Sequence, residues 1–353
     1  MQRLWKWIKR SFILGTSLVV AVVCFGAVYQ AIASHFDSNS FPPPGRRIDV
    51  GGYRLHLYCQ GRGNPIIVVN PGVGVWSLQW SKIQGALAQD TRICTYDRGG
   101  YGWSDSGVST PTASQAADEL HVLLEKAVEH GPYVLVGESY GGYVTRLFVE
   151  KYRRDVAAVV LVESAHERQW DELPRAKALA LQAQQQLRVG IWLSRIGFFR
   201  LLPMDRGEDL SPAVRRAFVA TQARTQTFAA FHNEMRGAFA SAQQAGETHS
   251  FGDLPLVVVS AGRSFDKFFP AGEKETGPMN EKWMRLQDEL TMLSTNSVRM
   301  VSETATHGIA REQPEFVIAA IRKALQLAVA HQTQIGYSGL PLNGQISGRS
   351  LNN

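Results

Sequence analysis

Tyr133-Val134-Leu135-Val136-Gly137-Glu138-Ser139-Tyr140-Gly141-Gly142 begins as an apolar run and breaks into a G-x-S-x-G, and residues 143–152 behind it have helical spacing. A bare G-x-S-x-G is a weak signal. Set between a strand and a helix it is a strong one, because the two glycines let the chain reverse sharply. The serine is then held in a strained conformation, with its hydroxyl presented at the helix N-terminus. Ser139 is therefore the candidate nucleophile.

On both sides of this run, strand-like and helix-like segments alternate. Strands are expected at 47–50, 53–59, 66–70, 92–96, 133–136, 157–162, 256–260 and 298–301, and helices near 78–88, 114–129, 143–152, 281–293 and 314–330. Thr110-Pro111 is a suitable opening for the second helix, since proline in a first turn loses no hydrogen bond. Several strands, such as 66–69 and 159–162, are apolar without alternation, as expected where helices cover both faces of a sheet. The layout is α/β with a mostly parallel eight-stranded sheet. Residues 164–253 interrupt it. They show helical patterning at 182–187, 191–202, 213–227 and 231–245, and read as a helical cap inserted after strand 6. Its aromatic residues Trp192, Phe198, Phe199, Phe228, Phe231 and Phe239 are candidates to line an apolar pocket, although packing of the cap onto the core accounts for most of them. The domain reading is a core of residues 47–163 and 254–330, the cap at 164–253, and a polar, Gly-rich disordered tail at 331–353.

From about Gly45 to Ala330 the chain resembles the capped esterases and peptidases of the α/β-hydrolase-fold superfamily. Four stretches carry the resemblance: the Gly137–Gly141 elbow; Asp97-Arg98-Gly99-Gly100-Tyr101-Gly102-Trp103-Ser104, similar to the family's D-x-R-G-x-G-x-S turn; the Asn70-Pro71-Gly72-Val73-Gly74 loop; and a histidine loop, Thr304-Ala305-Thr306-His307-Gly308. The resemblance implies that His307, after the last strand and before the last helix, is the general base. It implies an oxyanion hole made by the N–H groups of Val73 and Tyr140. The family usually has His-Gly where this chain has Pro71-Gly72, but Val73 keeps its own N–H. The aspartate–arginine turn reads as structural.

The acid lies between serine and histidine in chain order, and two candidates fit. Glu163 ends the strand that follows the elbow, and Asp266 is the alternative, in the loop after the next strand. The implied activity is a serine hydrolase, carboxylesterase- or lipase-like with peptidase as a variant, acting through an acyl-enzyme. The alternatives are a membrane-anchored acyltransferase or a non-catalytic binding protein on the same fold. No cofactor and no metal are expected, since no ligand cluster and no P-loop lysine stand in the sequence. The expected partner is a small-molecule or lipid-like ester.

The 353 residues are 44% hydrophobic and 19% charged, enough to bury a large core, and a net charge of +6 without a long basic run in the domain gives no case for nucleic acid. The basic residues gather instead at Arg3, Lys6, Lys9 and Arg10, before an apolar run at 12–29 that continues less strictly to Ala33. Residues 1–35 read as a transmembrane anchor or signal segment, and 36–46 as a linker. The positive side places the N-terminus in the cytoplasm and the domain on the extracytoplasmic side. Ala31-Ile32-Ala33 has the form of a cleavage site, so a secreted or periplasmic product is the alternative. In such a compartment a disulfide is allowed. The resemblance makes the strands of Cys59 and Cys94 neighbours, which leaves two states open for this pair, a bond or two reduced thiols.

Overall fold

The computed structural model describes residues 2–269 and 273–334. Eight strands form one sheet: β1 (Arg46–Asp49), β2 (Arg54–Gln60), β3 (Ile66–Asn70), β4 (Ile93–Asp97), β5 (Tyr133–Glu138), β6 (Val156–Val162), β7 (Leu256–Ala261) and β8 (Ser297–Ser302). Their spatial order is β1-β2-β4-β3-β5-β6-β7-β8; β2 runs antiparallel to both of its neighbours, β1 and β4, and the other pairs are parallel. The helices are α1 (Gln2–Ser40), α2 (Ser81–Leu87), α3 (Ala113–Ala127), α4 (Tyr140–Tyr152), α5 (Gln169–Glu172), α6 (Pro174–Arg195), α7 (Phe198–Leu201), α8 (Pro212–Gln222), α9 (Thr225–Gly246), α10 (Glu273–Thr291), α11 (Ile309–Glu312) and α12 (Pro314–Gln334).

The continuous apolar strands are explained by two cores. On one face, Val68, Leu135 and Val159 pack with Leu120, Leu124 and Phe148 of α3 and α4. On the other, Val69, Val136 and Val160 pack with Ile83 and Leu87 of α2 and with Val317 and Ile321 of α12. Both faces are dry, so alternation would have nothing to serve. Between β6 and β7 the chain forms only helices, α5 to α9. Phe218 of α8 is stacked on Trp76 of the core, with ring centroids 5.0 Å apart, which joins the two layers.

Three expectations from sequence need correction. The patterns at 182–187 and 191–202 belong largely to one helix, α6, which passes through Gly190 and ends before Gly197. Gly190 is not a break: a Cβ there would stand 3.3 Å from the Phe228 ring, so its bareness admits a neighbour. The 36–46 linker is helical as far as Ser40, and only 41–45 leave regular structure before β1. The 331–353 tail begins as helix, since α12 runs to Gln334; residues 335–353 lie outside the described residues.

Cys59 and Cys94 face each other in the β2–β4 register and are joined by a disulfide, with Cα atoms 4.0 Å apart. Cys24 is free and exposed on α1.

Candidate active site

Ser139 stands between β5 and α4 with φ 49° and ψ −120°, a conformation that L-residues rarely adopt. Neighbouring strands lock it: its N–H donates to the Val162 carbonyl (3.0 Å), and its carbonyl accepts from Ala165 (2.9 Å) and Gly142 (2.9 Å). The elbow tolerates no side chain at Gly141 or Gly142, where a Cβ would overlap the Asn70 carbonyl oxygen and the Ser164 hydroxyl.

His307 follows β8, two strands beyond β6, and its imidazole bridges the site. Nε2 is 3.0 Å from Ser139 Oγ and Nδ1 is 3.0 Å from Glu163 Oε2. Glu163 directly follows β6, is fully buried and has φ 47°. Its carboxylate also accepts from the Ala261 N–H (2.6 Å), the Ser264 hydroxyl (2.7 Å) and Trp283 Nε1 (3.0 Å). Four donors therefore hold this buried carboxylate, three at Oε2 and one at Oε1. Burial alone would push the His307 ring toward neutrality, but the Glu163 hydrogen bond and charge, with Glu138 and Glu312 further off, outweigh it and raise its pKa above 6.5.

Asp266 is not brought to His307. Its loop turns it to Arg263 Nε (2.6 Å) and Asn280 Nδ2 (3.0 Å). That pairing, with the Thr276 hydroxyl, holds its carboxyl below the ordinary value despite desolvation.

Val73 and Tyr140 line the same cavity as Ser139 and His307. Tyr140 opens α4, and N–H groups of a first helical turn have no partner within the helix. In the same loop the N–H groups of Gly72, Gly74 and Val75 are engaged by Glu138 Oε2 (3.2 Å), the Tyr101 hydroxyl (3.1 Å) and the Gly72 carbonyl (3.2 Å). Glu138 also accepts from Trp80 Nε1 (3.0 Å), and its burial raises its pKa against those two bonds.

The aspartate–arginine turn braces this loop from behind. Asp97 accepts from Ser77 N–H (2.9 Å), Trp103 N–H (3.0 Å) and His56 Nδ1 (2.8 Å). Arg98 donates to the carbonyls of Pro71 and Gly72, both at 2.7 Å, and forms a buried ion pair with Glu234 of α9. Tyr101 also donates to Glu234 (2.8 Å) and accepts from the Gly74 N–H (3.1 Å). The loop is thus tied to the cap through one guanidinium and one phenol. The sequence marks this turn as structural but gives no sign of Glu234, which sits 136 residues from Arg98 in a plain helical pattern.

The cavity at Ser139 has a volume of about 250 Å³ and is walled mainly by apolar groups, among them Leu173 and Ala183 of the cap, Met235 and Trp283. Of the six cap aromatics singled out in the sequence, Phe231 lines it. Phe228 is stacked on Phe199, Phe239 packs on Trp170, and Trp192 is exposed. Among the described residues, the one grouping with metal-ligand spacing is Cys59, Cys94 and Glu129; its two thiols form the disulfide.

Residues 65–195 match the family described as alpha/beta hydrolase fold. The chain is 25% identical over 273 residues to an uncharacterized protein, YqjL, of Bacillus subtilis, covering 77% of this chain and 88% of that one. It is 24% identical to an AB hydrolase superfamily protein of Gibberella zeae, covering 74% and 87%. A 133-residue stretch is 34% identical to an uncharacterized vacuolar membrane protein of Saccharomyces cerevisiae, of which it spans 21%. Among solved structures, an esterase from Thermogutta terrifontis superposes with TM-score 0.57 at 19% identity over 80% of this chain and 99% of that one. An epoxide hydrolase from Bacillus megaterium superposes with TM-score 0.61 at 16% identity over 80% and 100%. These likenesses show the fold.

Proposed function

We propose that this chain, which belongs to the α/β-hydrolase-fold superfamily, is a serine hydrolase that cleaves a carboxylic ester through an acyl-enzyme. The observation that carries the reading is the hydrogen-bonded line Ser139–His307–Glu163, set at the mouth of an apolar cavity. Epoxide hydrolase or dehalogenase chemistry on this fold would use an aspartate at the elbow, and this chain has Ser139 there.

In this reading His307 Nε2 takes the Ser139 proton as Oγ attacks the ester carbonyl carbon. Glu163 holds the ring in the tautomer with Nδ1–H and stabilises the imidazolium that forms. The carbonyl oxygen, now negative, receives the N–H groups of Val73 and Tyr140. His307 then returns the proton to the departing alcohol, leaving an acyl-serine. Water, deprotonated by the same ring, attacks the acyl carbon and releases the acid and free Ser139. An acceptor alcohol in place of water would make the same site an acyltransferase. The apolar walls suit an acyl or alkyl chain rather than a charged group, because charges there would lose hydration without partners.

The N-terminal helix is long and apolar enough to cross a membrane. Its four basic residues precede the apolar run, which favours an anchor with the N-terminus in the cytoplasm and the domain outside.

The test is hydrolysis of p-nitrophenyl esters of increasing acyl length by the full chain, with and without an added alcohol. Turnover of acyl esters, abolished in Ser139→Ala, is expected. Equal turnover by that variant would overturn the reading, and acyl transfer exceeding hydrolysis would turn it to an acyltransferase.

A further inference from the structure

The outer end of α1 does not stand free. Gln30, Ser34 and Asp37, spaced to share one helix face, all accept from Arg200 of α7, at 2.6, 3.0 and 2.6 Å. Gln30 Nε2 donates to the Ala223 carbonyl at 2.9 Å and its side chain is buried. Higher on α1, a Cβ on Gly26 would stand 2.7 Å from the Ile196 carbonyl oxygen, and one on Gly197 would stand 2.8 Å from the Tyr29 ring. The turn between α6 and α7 therefore packs against residues 26–29 of α1.

Those residues belong to the apolar run at 12–29. At 1.5 Å rise per residue, Gly26 lies about 4.5 Å inside the outer end of that run. A turn packed there is carried to the depth of the headgroups or just below. The chain around the turn suits that depth: Val189, Trp192, Leu201, Leu202 and Met204 are each 55–75% exposed. Scattered exposed apolar residues need no explanation, but a concentration within 16 positions beside a membrane-length helix does. Arg188 and Arg195 lie one turn either side of Trp192 on α6, and the Arg195 guanidinium sits 4.5 Å over its ring. An indole with flanking cations is suited to the boundary between acyl chains and headgroup phosphates.

We propose that the cap segment 189–204 is seated in the outer face of the lipid bilayer, beside the span formed by α1. This rests on the reading of α1 as a membrane anchor. The helix that carries Trp192 also lines the Ser139 cavity through Ala176, Ala180 and Ala183. Nine residues, about 14 Å of helix, separate Ala183 from Trp192, so an ester dissolved in the bilayer would meet the cap close to the cavity.

The test uses the full chain with Cys24→Ser, reconstituted in vesicles containing anionic phospholipid, with Leu202→Cys labelled by an environment-sensitive fluorophore. Val128→Cys is the reference. Val128 is exposed and precedes β5, at the end of the parallel strands opposite the cap. The 202 label is expected to emit to the blue of the 128 label and to be quenched by lipid spin-labelled near the headgroup. Vesicle flotation is read on the same samples. A chain that floats while its 202 label emits and resists quenching like the 128 label overturns this proposal and leaves the anchor standing. A chain that does not float overturns both.

Discussion

At the scale of single residues, the site rests on which carboxylate faces His307. Glu163 is 3.0 Å from Nδ1 while Asp266 is held by Arg263 and Asn280. Glu163→Gln is therefore expected to lower kcat roughly 10⁴-fold with folding retained, as loss of the orienting acid does in a triad. Asp266→Asn should leave kcat within about threefold, a change too small to mark loss of a triad member. Steady-state kinetics on the two purified variants, with circular dichroism for folding, decides it; the reverse asymmetry would move the acid role to Asp266. A pH profile gives an independent check. His307 must be neutral to accept the serine proton, so kcat/KM should rise with pH through its pKa. Because Glu163 lifts that pKa over the opposing burial, the acid limb should have its midpoint above 6.5. In Glu163→Gln the limb should move down, since the two largest raising causes go and desolvation stays. The juxtaposition of Ser139 and His307, proposed as nucleophile and base, is legible in the sequence because each follows a strand in a fixed chain order. The acid was left between two candidates because both follow adjacent strands, and only the left-handed backbone at Glu163 and the donors around it separate them.

At the scale of elements, two ties hold the site's frame. The Arg98–Glu234 pair joins the 70–74 loop to α9, and both side chains are under 5% exposed. Glu234→Ala leaves a buried guanidinium without its counter-charge and is expected to destabilise the fold by about 3–5 kcal/mol, measurable by denaturant unfolding. A change under about 1 kcal/mol, the range of an exposed pair, would contradict a buried, unscreened one. The Cys59–Cys94 disulfide closes a loop across 35 positions. Loop-closure entropy makes its removal in Cys59→Ser/Cys94→Ser worth about 3–4 kcal/mol, and peptide mapping without reductant should recover the two cysteines in one linked fragment. All eight strands lie within two residues of where the sequence places them. What could not be read was where cap helices join and where α1 ends, because those depend on tertiary partners. Gly190 looks like a helix breaker until Phe228 occupies the space it leaves. Residues 36–40 look like a linker until Arg200 grips Asp37.

At the scale of the whole molecule, a helix long and apolar enough to cross a membrane, a cap docked on its C-terminal end and a cavity beneath the cap are joined in one chain, and in the proposed reading they are organised toward a membrane surface. Deleting residues 2–24 removes most of the apolar run but keeps the face that contacts Arg200. The shortened chain is expected to stay in solution on vesicle flotation while hydrolysing a soluble ester at a rate within about threefold of the full chain, too small a change for loss of any triad group. Flotation unchanged by the deletion would contradict the anchor. In the proposed reading Ser139, activated by His307, is the group that attacks the ester. The check is to react the intact chain, reconstituted in vesicles, with a fluorophosphonate and to locate the adduct by peptide mass spectrometry. One adduct is expected, on Ser139, lost in Ser139→Ala and nearly lost in His307→Ala. No labelling of the folded chain, or labelling of another serine that survives Ser139→Ala, would contradict it.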